Sequence, residues 1–423
     1  MMLRWIPILV LAHLGSLGPI EAQPKGQERW VATWATAQML VRPALADTPT
    51  VAPTGPAITP QAIGARGFNN QTVRMMVRTS IGGRRLRVRL SNAFGGTPVV
   101  VGTAHLAIRA KDSAIVPDSD RSLKFNGKPG CTLAPGVVLL SDPVDLILPP
   151  VTELAVSLYF PGETHAPTTH ATALHNTYIS KEGDMTAQAE IPEPVTTQSY
   201  YWLAGIDVAA AADAAVLVTF GDSITDGARS TSETNHSWPA LLAARLAANK
   251  ATAKIGVANV GIGGNRVLRD GSGASALARF DRDVLSQPGV KWVTLMEGIN
   301  DIGREATVPA EAVTAGELIG AYKQFIEQAH AHGVKVIGCT LTPYEGAGYY
   351  RENGEAIRAA VNSFIRTSGA FDAVVDFEAA TRDAGNARRI RAEFDPGDHL
   401  HPNDAGYQAM ADAFDLSIFT RKR

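Results

Sequence analysis

Cysteine and net charge are both scarce in this chain of 423 residues. Two cysteines, Cys131 and Cys339, cannot form a disulfide framework, and their separation fits no metal-ligand cluster. Lysine plus arginine number 39 and aspartate plus glutamate 41, so the chain lacks the basic surface expected of a nucleic-acid-binding protein. Hydrophobic residues make up 45% and charged residues 19%, a composition that argues against a largely disordered chain. The sequence therefore predicts a folded, soluble protein of two or three domains, with an enzyme as the leading interpretation.

The first 22 residues are interpreted as a secretory signal peptide. Arg4 supplies a positive charge, residues 5–14 form an apolar core, and Ala22 is a small residue directly before a cleavage site. Pro7 and Gly15 interrupt the continuity that a buried N-terminal helix would need. The apolar segment is shorter than the ~20 residues of a membrane span, so we expect no stable membrane insertion. The mature protein is expected to be secreted or periplasmic.

Residues 23–208 have the pattern of a β-rich accessory domain. Apolar residues alternate with arginines in residues 73–79 and 85–90, and Gly82-Gly83 separates these two predicted strands as a turn. The arginine rows are interpreted as solvent-facing sides of the strands. Further strands are predicted at residues 99–108, 137–140, 144–148 and 153–160, and a long surface loop at residues 41–66. Short strands with little helical pattern predict an antiparallel sandwich or a jelly roll.

The period of the sequence changes after an alanine-rich linker at residues 209–215. Buried strands are predicted at residues 216–220, 255–260, 292–296, 334–340 and 371–377. Helical spacing follows each of them, at residues 238–249, 274–286, 310–332, 352–367 and 404–419. This alternation over residues 216–423 predicts a five-stranded parallel sheet with helices on both faces, an α/β/α sandwich. In such sheets the functional site lies beyond the carboxyl ends of the strands.

Four polar segments follow these predicted strands. They are Gly221-Asp222-Ser223, Gly261-Ile262-Gly263-Gly264-Asn265, Gly298-Ile299-Asn300-Asp301 and Asp398-His399-Leu400-His401. Each segment alone is typical of an ordinary turn. Together, at one edge of one sheet, they supply a hydroxyl, free backbone amides, a side-chain amide, a carboxylate and an imidazole. Those groups are the components of a serine acyl-transfer site.

The predicted roles follow from the chemistry of a serine hydroxyl, which is a poor nucleophile without an adjacent base. His401 can accept the proton of Ser223, and Asp398 can orient the imidazole. The backbone amides of Ser223 and Gly264 and the side-chain amide of Asn300 are candidate oxyanion donors. Each such donor is typically worth ~10²–10³ in rate.

These segments resemble the SGNH branch of the GDSL esterase and lipase superfamily, which is named for four residue types. Their counterparts here are Ser223, Gly264, Asn300 and His401. The resemblance covers about half of the chain, and Ile224 stands where the family motif has Leu. It implies a five-stranded α/β/α sandwich and an ester hydrolase that forms an acyl-serine without a metal or other cofactor. The family's Asp-x-x-His pattern favours His401 over His399 as the base.

Several other residues are candidates for contact with the substrate. Asn265 and Arg266 are candidates to line the pocket, with solvated surface as the alternative. Tyr344, together with Tyr349 and Tyr350, is a candidate aromatic wall suited to sugars, with ordinary core packing of the loop as the alternative. Asp222 is also a candidate, although an Asx-type bond within its own turn is the simpler interpretation. Asp301 is expected to hold its own loop. Three histidines between the strands of the β-rich half are interpreted as loop surface; they are His165, His170 and His175.

The favoured function is removal of acetyl or other short acyl groups from an acylated small molecule or polysaccharide. The β-rich half is similar to a two-domain subgroup, related to acylhydrolases of xylanase gene clusters, through Trp30-Val31-Ala32-Thr33-Trp34. A broad lipase, arylesterase or thioesterase would use the same residues but prefer longer acyl chains. A non-catalytic glycan-binding envelope protein would bind its ligand unchanged after Ser223→Ala. Oligomeric state and any pairing of the two cysteines stay open.

Overall fold

A computed structural model describes residues 28–39 and 67–421, which form a β domain followed by an α/β domain. The predicted signal peptide and the predicted loop at residues 41–66 lie outside these described residues. Within both ranges, no helix has the length and apolar character needed to cross a membrane. Cys131 and Cys339 are free thiols, one in each domain.

The β domain is a sandwich of two antiparallel sheets. Its strands are β1 Arg29–Ala35, β2 Gln71–Arg78, β3 Gly83–Ser91, β4 Val99–Val101, β5 Thr103–Lys111, β6 Ala114–Ile115, β7 Arg121–Ser122, β8 Cys131–Leu133, β9 Val138–Leu140, β10 Val144–Leu148, β11 Glu153–Phe160, β12 Thr169–His170, β13 Thr177–Ile179, β14 Val195–Thr197, β15 Tyr200–Tyr201 and β16 Leu203–Ala210. One sheet has the order β1-β16-β3-β10, with β9 also on β3, and the other has the order β14-β13-β2-β11-β5-β6, with β7 on β5. Alternate apolar side chains of both sheets share one buried cluster, so the predicted sandwich is confirmed.

The arginine rows of β2 and β3 are largely covered, so the prediction that they face solvent was wrong. Arg74 is fully buried, because Ser113 and residues 185–188 cover the outer face of its sheet and bond the guanidinium through backbone carbonyls. Arg87 and Arg89 pair with the buried Asp207 at 2.9 and 3.1 Å. An alternating pattern identifies a strand, but it does not reveal which other segments pack on its polar face.

The α/β domain has a five-stranded parallel sheet in the order β18-β17-β19-β20-β21, which confirms the predicted class. Its strands are β17 Ala215–Gly221, β18 Ile255–Asn259, β19 Val290–Met296, β20 Lys335–Cys339 and β21 Ala373–Val375. The α-helices are α1 Ser223–Asp226, α2 Trp238–Ala248, α3 Ala276–Phe280, α4 Ile299–Arg304, α5 Ala315–Ala331, α6 Glu352–Thr367, α7 Phe377–Thr381 and α8 Asp404–Asp412. Because all five strands are parallel, their carboxyl ends meet at one edge.

Three predicted helices differ from the structure at their ends. The helix predicted at residues 274–286 is α3 continued by a π-helical turn at Asp281–Leu285. The helix predicted at residues 310–332 begins at Ala315, because Thr314 and Glu317 form a capping box there. The last helix ends at Asp412 and is followed by a 3₁₀ turn at Leu416–Phe419. Local hydrogen bonding fixes these ends, whereas hydrophobic period alone does not.

The two domains share a tightly packed seam along β1. The Ala32 amide donates to the Pro288 carbonyl at 2.9 Å, and the Ser80 hydroxyl accepts from the Val257 amide at 2.9 Å. A Cβ at Gly256 would lie 2.7 Å from the Ala32 carbonyl oxygen, so this approach requires glycine. Apolar side chains of β1, β16 and the β2–β3 turn belong to the same buried cluster as the strands of the α/β domain. The seam is therefore a continuous core.

Candidate active site

Ser223 lies at the carboxyl end of β17, where the strand turns sharply into α1. The Asp222 carboxylate caps this helix by accepting the Ile224 amide at 3.0 Å. Gly227 ends the helix in the left-handed conformation at φ 110°. The Ser223 amide is at the first position of the helix and so has no acceptor within it. Residues local to the turn thus direct both the hydroxyl and the amide of Ser223 to the sheet edge.

Ser223, His401 and Asp398 form a continuous hydrogen-bonded series. The Ser223 hydroxyl lies 2.8 Å from His401 Nε2, and His401 Nδ1 lies 2.9 Å from Asp398 Oδ2. Asp398 Oδ1 also accepts the backbone amides of Leu400 and His401 at 3.1 and 3.0 Å. Burial alone would raise the pKa of Asp398, but the hydrogen bonds from His401 and Leu400 outweigh it and hold the pKa well below its usual range. Asp398 is therefore an ionised carboxylate directed at the imidazole.

His399, the competing histidine, is turned away from Ser223. Its Nδ1 contacts the carboxylate of Asp395, and half of its side chain is exposed. Its backbone is in the left-handed region at φ 57°. The structure thus brings His401, rather than His399, against the serine hydroxyl.

The predicted oxyanion donors belong to the segments that follow β17, β18 and β19, three neighbouring strands. Gly264 has φ +73°, and among the described residues its amide donates to no acceptor. The Asn300 side-chain amide donates one hydrogen to the Asn265 carbonyl at 2.9 Å, which leaves its second hydrogen available. Gly264 and Asn300 both line a cleft of about 360 Å³. These two donors can stabilise a negative oxygen in the cleft.

Two carboxylates hold the loop that carries Gly264. Asp301, in the first turn of α4, accepts the amides of Val267 and Leu268 at 2.7 and 3.1 Å, so it anchors this neighbouring loop rather than its own. Asp226, in α1, accepts the Gly263 amide at 3.1 Å. The two anchors lie on either side of Gly264 and fix the direction of its amide.

Arg279 is a buried residue that joins three parts of the site and that sequence reasoning missed. It donates to the carbonyls of Gly221 and Val260 at 2.9 and 2.7 Å, at the ends of β17 and β18. It also donates to the Asn265 side chain at 2.8 Å. The sequence does contain one indication of this role, because Arg279 lies three residues after Ala276 and therefore on the apolar face of α3. An arginine at such a position needs buried acceptors, and here the strand ends supply them.

The predicted substrate contacts are only partly supported by their positions. Tyr344 is fully buried and exposes nothing to the cleft, so its predicted role as a wall was wrong; Tyr349 lines the cleft instead. Asn265 is also fully buried, because its side chain bonds Arg279 and the Ala274 carbonyl. Arg266 does line the cleft, where Glu311 pairs with it at 2.6 Å.

Two carboxyl groups near one another are fully buried, that of Asp222, next to Ser223 in the chain, and that of Glu297. Asp222 has no exposed surface, which excludes direct substrate contact, and its Oδ2 has no hydrogen-bond partner in the described part of the chain. Burial raises the pKa of Asp222 to about 7, with a further contribution from Asp301. Burial and the nearby Asp222 raise the pKa of Glu297 well above its ordinary value. Across residues 28–39 and 67–421, no cluster of three or more potential ligands could hold a metal ion.

Two histidines of the β domain lie at the domain seam, so their prediction as loop surface was wrong. His170 and His175 are 2% and 5% exposed, whereas His165 is exposed as predicted. His175 Nε2 lies 2.9 Å from the Asn235 side-chain oxygen, and His170 Nε2 lies 3.0 Å from Asp226 Oδ1. The sequence shows these residues between strands but does not show that the loop docks on the second domain.

A family model described as the GDSL-like lipase/acylhydrolase family matches residues 219–409. The α/β domain is a GDSL-like lipase/acylhydrolase domain. The protein is accordingly a carboxylic ester hydrolase. The match includes the segments that carry Ser223, Gly264, Asn300, Asp398 and His401, so all five residues belong to the GDSL-like domain.

Several solved structures are similar to this protein, and each of them covers about half of its chain. One is Axe2, an acetylxylan esterase from Geobacillus stearothermophilus, with 25% identity over 49% of this chain and 97% of its own, at a TM-score of 0.38. Another is LAE5, an α/β hydrolase enzyme from the metagenome of Lake Arreo, with 24% identity over 50% and 98%, at a TM-score of 0.39. A GDSL-like lipase from Bacteroides thetaiotaomicron has 18% identity over 48% and 88%, at a TM-score of 0.36. No curated protein matches the chain.

Proposed function

We propose that this ester hydrolase acts through an acyl-serine intermediate formed on Ser223. The observation that carries the proposal is the hydrogen-bonded series from the Ser223 hydroxyl through His401 to Asp398, with contacts of 2.8 and 2.9 Å. In this series Ser223 is the nucleophile, His401 is the base that contacts it, and Asp398 is the carboxylate that orients the base. Asp398 and His401 share one turn, and Ser223 lies 178 residues before His401 in the turn after β17. Proximity within one loop therefore does not account for the contact between the serine and the imidazole.

The reaction follows from this geometry in two halves. His401 Nε2 accepts the Ser223 proton as the serine oxygen forms a bond to the ester carbonyl carbon. The carbonyl oxygen becomes an oxyanion, and the amides of Ser223, Gly264 and Asn300 donate hydrogen bonds to it. His401 then gives its proton to the leaving alcohol, which leaves an acyl-serine. Water, deprotonated by the same imidazole, attacks this ester and releases the carboxylic acid and the free Ser223.

We propose a short acyl group, in keeping with the composition of the cleft. Its lining is polar beside the oxyanion donors and contains no aliphatic side chain; besides Gly264 and Asn300 it consists of Arg266, Gly271, Ser272, Gly303, Arg304, Thr307 and Tyr349. The large exposed hydrophobic residues of the described chain lie elsewhere, at Val100, Val116, Val138, Leu140, Ile147 and Val374. A long acyl chain would need an apolar surface to bury its methylenes, each worth ~0.8 kcal/mol when buried. A cleft of this kind suits an acetyl group better.

We propose a carbohydrate as the alcohol part of the substrate. The cleft offers hydroxyl and amide groups that can bond sugar hydroxyls, and the half-buried ring of Tyr349 forms one side of it. Export from the cytoplasm is part of the same proposal, on the basis of the N-terminal segment with Arg4 and the apolar residues 5–14. Sequencing the N-terminus of protein recovered outside the cytoplasm tests export, and a retained Met1 would contradict it.

The experiment for the catalytic proposal compares initial rates on p-nitrophenyl esters from acetyl to long acyl chains in wild type, Ser223→Ala and Ser272→Ala. Ser272 lines the cleft with Gly264, and the ring nitrogens of His401 bond Ser223 and Asp398 rather than Ser272, so Ser272→Ala is the matched control for the nucleophile. We expect the rate to be highest on acetyl ester, to fall at least 10³-fold in Ser223→Ala and to change less than threefold in Ser272→Ala. Release of acetate from acetylated xylan tests the carbohydrate assignment.

Three results would contradict parts of this proposal. Equal rates in wild type and Ser223→Ala would remove the acyl-serine mechanism. A maximum at long chains would favour a lipase or thioesterase. Activity on p-nitrophenyl acetate without release from acetylated oligosaccharides would remove the carbohydrate substrate but leave the mechanism intact.

A further inference from the structure

We infer that His170 of the β domain is a positioning residue for the oxyanion hole of the α/β domain. His170 reaches across the domain seam to Asp226, which lies three residues after Ser223 in α1. The other oxygen of Asp226 accepts the amide of Gly263, directly before Gly264. This inference rests on the proposed acyl-serine mechanism, because it concerns the donor that would face the oxyanion.

The contacts of His170 define its protonation. Its Nδ1 lies 2.8 Å from the Ala37 carbonyl oxygen, which can only accept a hydrogen bond, so Nδ1 carries a proton. Its Nε2 lies 3.0 Å from the Asp226 carboxylate, so an imidazolium satisfies both contacts. Burial alone lowers the pKa of His170, but the Asp226 carboxylate outweighs burial and the pKa is raised above its ordinary value. The result is a buried ion pair between the domains.

The Asp226 carboxylate is held from two sides, and this fixes the peptide beside it. His170 fixes Oδ1, while the Gly263 amide bonds Oδ2 at 3.1 Å. Glycines at 263 and 264 give the loop wide conformational freedom, so its direction depends on such external contacts. A Cβ at Gly261 would lie 2.3 Å from the Asp226 amide nitrogen, so the loop also packs directly on α1. The β domain thereby takes part in orienting the Gly264 amide.

An alternative is that His170 only stabilises the seam, as many interdomain contacts do. The seam already has a continuous apolar core and independent hydrogen bonds, such as that from Arg89 to Gln287 at 2.7 Å. Removing that bond is the control for seam stability, because among the described residues the Gln287 side chain bonds Arg89 and the Asp283 carbonyl and not His170 or Asp226. The two roles therefore predict different kinetics for two substitutions at the same interface.

The experiment measures kcat, KM and thermal midpoint for wild type, His170→Ala, His170→Gln and Gln287→Ala on p-nitrophenyl acetate. We expect His170→Ala to lower kcat at least tenfold with KM changed less than twofold, a part of the ~10²–10³ that one oxyanion donor contributes. His170→Gln can still donate to Asp226, and we expect it to restore kcat to within about threefold of wild type. Gln287→Ala is expected to lower the thermal midpoint without changing kcat.

A second measurement separates positioning from loss of folded enzyme. A trifluoromethyl ketone forms an adduct with the active serine whose oxygen occupies the oxyanion position. We expect its inhibition constant to rise in His170→Ala by the factor by which kcat/KM falls. A smaller active fraction would lower kcat but leave that constant unchanged, and this result would overturn the inference.

Asp226→Ala completes the test as a double-mutant cycle with His170→Ala. We expect the double variant to have the kcat of Asp226→Ala alone, because His170 acts through Asp226. Additive losses would contradict the inference. If Ser223→Ala abolishes activity while His170→Ala leaves kcat and the inhibition constant unchanged, only the inference fails. If Ser223→Ala is fully active, the proposed mechanism itself fails.

Discussion

Each domain buries an arginine completely, and the two are used differently. Arg74 in the β domain donates to the Ser157 hydroxyl and to backbone carbonyls, including those of Ser113 and Gln188 at 2.6 and 2.8 Å. Its acceptors are neutral, and burial lowers its pKa to about 10. Arg279 in the α/β domain also donates to carbonyls, but it pairs with the Asp283 carboxylate at 3.2 Å and lies 3.6 Å from that of Glu297.

The difference shows how the same side chain serves stability in one domain and the site in the other. Arg74 fastens a covering segment onto the outer face of a sheet, far from the nucleophile. Arg279 joins the ends of two strands and the Asn265 side chain, all of which lead directly into active-site loops. Loss of Arg74 should therefore affect unfolding, whereas loss of Arg279 should affect both unfolding and catalysis.

The largest effect is expected from Arg279→Met. Removing one partner of a buried ion pair typically costs about 3–5 kcal/mol, because the remaining carboxyl and carbonyl groups lose their donor. We also expect kcat on p-nitrophenyl acetate to fall at least tenfold, since Asn265 in the Gly264 loop loses its hydrogen bond from Arg279. Urea unfolding and steady-state kinetics measure both. Arg279→Lys keeps the charge and should lie between Arg279→Met and wild type; an unchanged kcat in both variants would contradict the role in the site.

A smaller effect is expected from Arg74→Met. Without the guanidinium, the covering segment can loosen, and the neutral acceptors of Arg74 can then form hydrogen bonds with water. The free energy of unfolding is therefore expected to fall by about 1–3 kcal/mol. We expect kcat and KM to stay within twofold of wild type. If Arg74→Met lowered kcat as strongly as Arg279→Met does, the proposed division between the two arginines would be wrong.

The smallest effect is expected from Asp222→Asn, and it depends on pH. Because the folded-state pKa of Asp222 is raised to about 7, the folded protein binds a proton that the unfolded chain has released, and stability falls as pH rises from about 4 through 7. Asn can still cap α1 but does not titrate. We expect the variant to be on the order of 1 kcal/mol more stable than wild type at pH 8 and not at pH 5. Urea unfolding at both pH values measures this.

Asp207 of the β domain provides the matched contrast for that prediction. It is as deeply buried as Asp222, but Arg87 and Arg89 both pair with it. Asp207→Asn should therefore destabilise the protein at pH 8 as well as at pH 5. An equal gain in stability for both variants at pH 8 would contradict the comparison.

The sequence predicted the sheet and the residues at its edge because parallel strands bring their carboxyl ends together. Ser223, Asn300 and His401 could be placed near one another from that rule alone. Tyr344 and Tyr349 could not be distinguished, because both lie in one loop and only packing decides which ring is covered. His170 was missed for another reason: nothing local to a loop between strands indicates that a second domain packs on it. Arg279 had a local signal, but its acceptors come from strand ends that are distant in sequence.

The position of β1 has a consequence for the order in which the chain folds. Arg29, at the start of β1, donates to the carbonyl of Ala212, 183 residues later in the chain. During synthesis β1 can find its neighbour only after β16 has emerged, and closing so long a loop is slow. The bond from Ala32 to Pro288 must wait longer still. The first of the described strands is therefore fixed in place only after β16 has been synthesised, and until then the edge of β16 is open to pairing with another chain.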